Sequence, residues 1–500
     1  MKVALIDPTF LALPFERLAG AALTRAKERG ATYADFRFER LRRHTIVARD
    51  RELETSVSSE SMGFSVRVIH KGAWGFAAGT DLTPDAAAAV AARAIEVAET
   101  LAPLNIEPVV LADEPTYTDT YVSSYEIDPF TVPEDQKIEF LLGLNERALA
   151  SGLIDHVTSY VILASEEKFF ASLAGARITQ QRVRVKGDLT ATRIDKSSGQ
   201  FETMGTALPP AGRGWEYFTA ISDFSKKADE IPALLQEKMA SPSVRPGRYD
   251  LVIDPTNLWL TIHESIGHST ELDRVLGYEA NYAGTSFATL DKLNTLRFGS
   301  PLMNVTGDRQ VQHGLSTVGY DDEGVAAQTW NIIRDGVLVG YQLNRQIARK
   351  QGLGRSNGCA FADAPEHLPL QRMPNVSLQP NPKDITLDAL IGGVEQGIYI
   401  VGDKSWSIDM QRYNFQFTGQ KFYRIRGGKL VGQLKDVAYQ ARTTDFWNAM
   451  ASVGGESTYL LGGAFNCGKG QPSQIAPVTH GCPAALFRQI HVLNTALEGH

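Results

Sequence analysis

The sequence predicts an α+β protein, with an α/β-meander region of helices and strands in residues 1–243 and a mostly antiparallel β domain in residues 244–500. Three patterns support this fold class: apolar residues at helical spacing, long polar–apolar alternation, and glycine-containing hairpin signals in the later part of the chain. Pro242, Pro246 and Gly247 interrupt these periodicities, so they mark the boundary between the two regions.

The first region divides further into two units, of about residues 1–110 and 111–243. Each unit combines helices with long alternating stretches, the pattern of half-buried strands. Thr83-Pro84-Asp85 favours a helix start, because it offers a threonine N-cap, a proline in the first turn and an adjacent acid. The predicted elements are helices at 14–30, 83–101, 133–150 and 225–240, an antiparallel meander at 34–79 with a turn near 50–51, an extended connection at 103–133, and strands at 157–171 and 177–194.

The second region begins with a strand and a capped helix and continues with mostly β-like sequence. Residues 249–253 are typical of a short strand, and Asp254-Pro255-Thr256 supplies an N-cap and a proline for a helix that continues to about Gly267. Two hairpin signals, Asp335-Gly336 and Gly427-Gly428, predict antiparallel strand pairs. Further strands are predicted at 397–401, 413–418 and 423–425.

Composition and charge argue against several classes of function. A net charge of −7 disfavours a nucleic-acid partner, since phosphate binding calls for a basic face. The basic runs at residues 40–44 and 182–186 are interpreted as solvated strand edges. No uncharged apolar run approaches the roughly 18–20 residues of a membrane span. Asp7 and Pro8 also interrupt any apolar core of a secretory signal. We therefore expect a cytoplasmic protein without a nucleic-acid or membrane partner.

The stretch that could carry chemistry is Thr261–Thr270, in which two histidines bracket a run that begins with a glutamate. His263-Glu264 followed by His268 has the residue types of a zinc-protease motif, but its spacing is H-E-x-x-x-H rather than H-E-x-x-H. On a regular helix, residues five apart point roughly 140° away from each other. Both rings can therefore reach one ion only if the helix is irregular at or just before Gly267, which can relax the backbone there.

Two interpretations of this stretch remain open on spacing alone. One is a metal site that needs a third ligand, because a catalytic zinc usually takes three protein ligands. The other is a helix with one core-facing and one surface-facing histidine and no metal. Cys467, in a glycine-rich segment, is the leading third ligand, Cys482 is its rival and Cys359 is weaker. These three widely spaced cysteines also argue against a disulfide framework.

Other clusters receive a structural interpretation. The run Asp321-Asp322-Glu323 could be mistaken for a second cation site, but a turn beside a strand is the favoured interpretation. His313, His367 and His480 have no partner at metal-ligand spacing, so they are interpreted as structural or surface residues.

His263–His268 together with Cys467-Gly468-Lys469 resembles the TldD/PmbA family, whose members are also described as candidate modulators of DNA gyrase, and specifically its metal-bearing TldD-like metallopeptidase branch. The similarity extends over almost the whole chain. Five further stretches support it: 34–39, 75–77, 212–216, 321–324 and 369–375. Residues 269–282 depart from the family pattern, so substrate contacts are not carried over to this chain.

The resemblance implies a zinc-dependent metallopeptidase in which His263, His268 and Cys467 bind Zn2+ and Glu264 is the general base toward a metal-activated water. It implies unfolded or short peptides as substrates, held extended by sheet-like pairing. It also implies a homodimer or a heterodimer with a TldE/PmbA-like paralogue. The alternative is a non-catalytic peptide-binding or interaction subunit of such a complex, and small-molecule hydrolysis also stays open. Glu264 favours catalysis, because a structural zinc would take four protein ligands and need no base.

Overall fold

The computed structural model describes residues 5–470 and 473–497, and its first large element is a seven-stranded sheet. The strand order is β3-β2-β1-β5-β6-β4, with β7 paired to β6, and only the β4–β6 pairing is parallel. The expected meander and both long strands are therefore confirmed. The strands are β1 (Tyr33–Arg49), β2 (Glu52–His70), β3 (Ala73–Gly79), β4 (Thr118–Val122), β5 (His156–Ser172), β6 (Arg177–Ile194) and β7 (Phe201–Gly205).

The helices of this region share two apolar cores with the sheet. The helices are α1 (Pro8–Leu11), α2 (Phe15–Glu28), α3 (Pro84–Leu101), α4 (Glu134–Ala150) and α5 (Phe224–Ala240). Helices α2 and α3 bury their apolar faces with Phe36 and Phe64 of the β1–β2 pair, whereas α4 and α5 pack with Val161 and Leu189 of β5 and β6. All four predicted helices are confirmed, and the Thr83 hydroxyl accepts the N–H of Ala86 as the expected N-cap of α3.

The basic runs lie inside this sheet, so their interpretation as solvated edges is wrong. Arg40 is buried on β1 and forms an ion pair with Glu167, while Arg182 and Arg184 are buried on β6 and both bind Glu166. Strands β1 and β6 have a neighbour on each side, and loops of the second region cover this end of the sheet. Each buried guanidinium therefore needs a carboxylate partner close by.

The second region contains another seven-stranded sheet, and part of it closes on itself. Because β15 pairs with β16 as well as with β8, the strands β15, β8, β22, β18 and β16 form a ring in which only β8–β15 is parallel. The strands are β8 (Gly247–Ile253), β9 (Val305–Asp308), β10 (Thr329–Arg334), β11 (Val337–Leu338), β12 (Ala360–Phe361), β13 (Leu370–Gln371), β14 (Asn375–Leu378), β15 (Gln396–Ile408), β16 (Asn414–Arg426), β17 (Lys429–Leu434), β18 (Val437–Arg442), β19 (Met450–Val453), β20 (Leu460–Lys469), β21 (Gln474–Cys482) and β22 (Ala485–Asn494). The helices are α6 (Pro255–Ile262), α7 (Leu272–Val275), α8 (Arg345–Lys350), α9 (Leu387–Gly392) and α10 (Thr443–Asn448).

Both predicted hairpins are present in this region. Asp335 and Gly336 have φ of 48° and 77°, and Gly427 and Gly428 have φ of 52° and 71°, as a two-residue hairpin loop requires. The segments expected at 413–418 and 423–425 belong to one continuous strand, β16. The α+β class is confirmed, with a mostly antiparallel second region.

The large sheets take their strands from the two sides of the predicted boundary, but the division at 243/244 stays a prediction. Among the described residues, none of the helices combines the length and the apolar character that crossing a bilayer requires. Residues 1–4, on which the expectation of no signal sequence partly rests, lie outside the described residues.

Candidate metal centre

Helix α6 positions the histidine pair, and its winding changes where the pair begins. The Asp254 carboxylate accepts the N–H of Thr256 at 2.9 Å and Pro255 occupies the first turn, so the start of α6 is capped as predicted. From His263 to Gly267 the chain forms a π-helical turn, in which the N–H of His268 donates to the carbonyl of His263. Residues five apart then lie one turn above each other. The expected irregularity is confirmed, and the two imidazole centroids are 4.6 Å apart.

Gly267 serves this turn through its missing side chain rather than through unusual backbone angles. Its φ of −52° and ψ of −60° are ordinary helical values, so the conformational freedom expected of this glycine is not used. A Cβ at this position would lie 2.5 Å from Sδ of Met373 and 3.5 Å from Cε1 of His480. The glycine therefore lets neighbouring side chains approach the turn.

The structure brings Cys467, but neither of the other cysteines, to the two histidines. Cys467 lies on strand β20 beside a register shift against β21, and its Sγ is 3.6 Å from Nε2 of His268. One ligand atom each from His263, His268 and Cys467 lies within 4.8 Å of the others, and all three residues are buried. Cys482 instead faces the carbonyl of Pro255, and Cys359 faces Asn357. The glycine-rich segment around Cys467 forms a strand, in which the Cys467 side chain is buried while Asn466 and Gly468 are exposed.

A buried ionic cluster orients His268. Its Nδ1 lies 2.8 Å from Oε2 of Glu271, and the same oxygen accepts Nε–H of Arg274 at 3.2 Å. Lys469 donates to the other Glu271 oxygen at 3.2 Å and lies 2.6 Å from Asp273. Burial by itself would raise the pKa of Glu271, but Lys469, His268 and Arg274 hold it well below its usual range. A carboxylate at this position therefore stays ionised and accepts the Nδ1 proton of the imidazole.

His480 occupies the corresponding place beside His263. Its Nε2 lies 2.7 Å from Nδ1 of His263, and its own Nδ1 lies 2.8 Å from the carbonyl oxygen of Val376. Burial first, and the neighbouring His263 second, lower the pKa of His480 well below its ordinary value. Sequence reasoning missed this contact, because the residues are 217 positions apart and share no spacing signal.

Burial also lowers the pKa of both His263 and His268. Glu264 and Glu271 oppose this shift at His263, and Cys467 and Glu271 oppose it at His268. For the Cys467 thiol, burial raises the pKa, but His268 and Arg372 outweigh it and the net shift is downward. A metal ion is coordinated by neutral imidazoles and by a thiolate. The downward pKa shifts of His263, His268 and Cys467 favour these protonation states.

Glu264 points into the same space and is held by an arginine. Nη1 of Arg412 donates to Oε2 of Glu264 at 2.7 Å. Arg412 comes from the loop between β15 and β16 and has a φ of 63°, a left-handed conformation that is uncommon for a residue with a side chain.

These groups line a cavity of about 570 Å³ that lies between the two regions. Tyr160 and Lys186 of the first sheet line one side, and Trp259, Trp406 and Phe465 line the other. His263, Glu264, His268 and Cys467 all reach its wall. The candidate centre therefore opens onto a cavity large enough for a small ligand or a short segment of a polypeptide chain.

Family models match two parts of the chain. The PmbA/TldA metallopeptidase C-terminal domain matches residues 246–494, and the PmbA/TldA metallopeptidase domain 1 matches residues 34–98.

Relatives and solved structures resemble the chain over nearly its full length. A metalloprotease of Methanothermobacter thermautotrophicus is 30% identical over 93% of this chain and 96% of its own. A zinc metalloprotease TldD homolog of Saccharolobus solfataricus is 24% identical over 86% of this chain and 90% of its own.

Among solved structures, a candidate modulator of a DNA gyrase from Thermotoga maritima shares the fold with a TM-score of 0.74 at 17% identity, covering 96% of this chain and 100% of that chain. TldE from Thermococcus kodakarensis does so with a TM-score of 0.71 at 14% identity, covering 95% and 99%. The family models and the relatives, together with a His-His-Cys cluster capable of holding a metal ion, lead to one conclusion: the chain belongs to the PmbA/TldD family of metallopeptidases.

Proposed function

We propose that the protein is a zinc-dependent metallopeptidase that hydrolyses unfolded or short peptides, with His263, His268 and Cys467 as metal ligands and Glu264 as general base. The observation that carries this proposal is the convergence of two imidazoles and a thiol beside a carboxylate in the wall of one cavity. The relative from Saccharolobus solfataricus is a zinc metalloprotease TldD homolog, which supports zinc as the metal.

The donor set suits zinc. Imidazole nitrogen and thiolate sulfur are ligands that zinc prefers. The 3.6 Å between Cys467 Sγ and His268 Nε2 matches the separation of about 3.6 Å expected for two ligands at tetrahedral zinc bond lengths. Each histidine has its Nδ1 engaged elsewhere, so the Nε2 atoms are the ones left for a metal. Three protein ligands leave one position for a water or substrate, as catalytic sites do.

The neighbouring residues provide the remaining chemistry. A zinc ion, when bound, supplies Lewis acidity and lowers the pKa of a water molecule. Glu264 would serve as the proton acceptor for such a water, because its carboxylate lies beside the ligands and faces the cavity. Arg412 fixes one oxygen of this carboxylate. Glu271 holds the imidazole ring of His268 in orientation.

An unpaired strand edge supports an extended peptide as substrate. Strand β20 carries Cys467, and residues 463–468 line the cavity. Within the described residues β20 pairs with β21 alone, so its other edge has no strand partner, although the Cys467 carbonyl accepts a hydrogen bond from Arg372. A peptide that adds a strand there would be held through its main chain, with little selectivity for side chains.

The same family relationship also supports a proposal for the oligomeric state. We propose a homodimer or a heterodimer with a TldE/PmbA-like paralogue, supported by the shared fold with TldE from Thermococcus kodakarensis. Light scattering of the purified chain, alone and with the paralogue, distinguishes the two forms.

Metal analysis coupled to degradation of an unstructured peptide tests the proposed function. Wild-type protein should hold about one zinc ion per chain, and His268→Ala and Cys467→Ser should lose most of it. Cys482→Ser is the matched control, since this thiol faces Pro255 instead of the histidines. Retention of the metal in both ligand variants would refute the site.

The general base has a separate test. Glu264→Gln should keep the metal and lose about 100-fold to 10,000-fold in peptide cleavage. Undiminished cleavage would move the chemistry to another residue. Peptide binding without cleavage in metal-loaded wild-type protein would support the alternative, a non-catalytic peptide-binding subunit.

A further inference from the structure

Two successive hydrogen bonds connect the His263 ring, through the His480 ring, to the backbone carbonyl of Val376. This carbonyl determines which nitrogen of each ring carries the proton. The carbonyl of Val376 can only accept a hydrogen bond, so Nδ1 of His480, at 2.8 Å, must carry a proton. A neutral imidazole holds one ring proton, which leaves Nε2 of His480 as an acceptor. Nδ1 of His263, 2.7 Å away, must then be the donor.

The surroundings favour this neutral arrangement over a cationic one. His263 and His480 are both buried, and an imidazolium there would need an anion close by. No carboxylate in the part of the chain that the structure describes forms an ion pair with His480. Trp259 packs with its ring plane 11° from that of His480, which restrains the ring without adding charge.

We propose that His480 is a positioning residue: it holds His263 in the tautomer that carries its proton on Nδ1 and so presents the Nε2 lone pair to the metal. The inference rests on the proposed function, because it takes His263 as a ligand. A ligating histidine usually donates its other N–H to a partner, and loss of that partner typically costs 10-fold to 100-fold in metal affinity.

The two ligand histidines differ in the charge of their partners. His268 donates to Glu271, an ionised carboxylate in a cluster with Lys469 and Arg274, whereas His263 donates to a neutral imidazole. A neutral partner fixes the tautomer without adding a negative charge to a centre that already contains a thiolate. It therefore preserves more of the Lewis acidity of the bound ion.

Zinc affinity of the full-length protein, measured by competition with a chromogenic chelator, tests the inference. His480→Phe keeps a ring but removes the acceptor, and it should weaken zinc binding about 10-fold to 100-fold. His480→Gln restores an acceptor oxygen and should recover most of the affinity. Val478→Ala, a buried residue two positions earlier on β21, is the control for general disturbance of this strand and should bind zinc as wild type does.

A second measurement needs no substitution. In metal-free protein labelled with 15N-histidine, His263 should show a protonated Nδ1 and an unprotonated Nε2. The opposite tautomer would overturn the inference, as would wild-type zinc affinity in His480→Phe or an equal loss in Val478→Ala. If wild-type protein itself binds no zinc, the proposed function fails. If only the His480 result fails, the metal site stands and the positioning role does not.

Discussion

Arg412 donates from Nη1 to Oε2 of Glu264 at 2.7 Å, across 148 positions of the chain. The arginine is mostly buried, with 14% of its side chain exposed, so the ion pair is shielded from solvent and fixes the carboxylate. Arg412→Met should therefore lower kcat about 10-fold to 100-fold while zinc content stays unchanged, because the base loses its orientation.

Two variants sharpen this prediction. Arg412→Lys should recover part of the activity, since an ammonium keeps the charge but not the fixed fork of a guanidinium. Arg442→Met is the control, because Arg442 is 57% exposed and pairs only with Asp445 among the described residues. Equal activity of Arg412→Met and Arg442→Met would show that the ion pair does not position the base.

Gly267→Ala should destabilise the protein by about 1–3 kcal/mol and weaken zinc binding, because the added methyl overlaps Met373 in a close-packed core. Chemical unfolding and chelator competition measure the two effects. The double variant Gly267→Ala, Met373→Ala removes the overlap, so its cost should be smaller than the sum of the single costs. Strict additivity would mean that the glycine acts through the backbone and not through Met373.

Zinc should stabilise the folded protein, because its ligands come together only after folding. At a free zinc concentration 1,000 times Kd, linkage predicts a gain of about 4 kcal/mol in the free energy of unfolding. Differential scanning fluorimetry should show a rise in Tm for wild type and Cys482→Ser but none for His268→Ala. A rise of equal size in His268→Ala would place the stabilising ion elsewhere.

A buried carboxyl in the first sheet predicts a pH effect on stability. Burial raises the pKa of Glu39 to about 7, although Lys168 and Arg37 oppose the shift from 3.6 and 3.7 Å. In the unfolded chain this group titrates near 4.5. Its stabilising contribution is thus complete below about pH 4.5 and is lost as pH rises through about 7, because the charged form must then be buried.

The variant Glu39→Gln does not titrate, so its stability relative to wild type should increase between pH 5 and pH 8. Urea unfolding midpoints at the two pH values measure this difference. Glu52→Gln, at an exposed position of β2, should show no such change. A pH-independent difference for Glu39→Gln would mean that Glu39 is ionised throughout this range.

Local signals were enough to predict much of the fold. Helix α3 could be predicted because Thr83 and Pro84 mark the residue at which it begins. The hairpin at Asp335-Gly336 could be predicted because the positive φ angles of its loop favour those residue types. The turn predicted at Asp321-Asp322-Glu323 is confirmed, since the Asp321 carboxylate accepts the N–H groups of Glu323 and Val325.

Contacts between distant segments could not be predicted in this way. The local sequence around Arg182 has the same alternating pattern on a buried strand as on a solvated edge strand. Only the ion pair of Arg182 with Glu166 shows that this strand is buried. The partners of Glu264 and His263, which are Arg412 and His480, carry no sequence mark of their roles. Cys467 could be named as the leading third ligand from its glycine-rich segment, and the family resemblance points to the same residue.

The π-helical turn His263–Gly267 changes what a spacing in a metal motif means. H-E-x-x-x-H contains one residue more than the common helical motif, and here the backbone absorbs this residue by widening a single turn. An insertion that would rotate a ligand out of reach on an α-helix is thus neutral for the geometry of the pair. Motifs of different length can therefore place the same ligand side chains around one metal ion. The helical winding of the backbone, and not the number of residues between the ligands, decides which side chains meet.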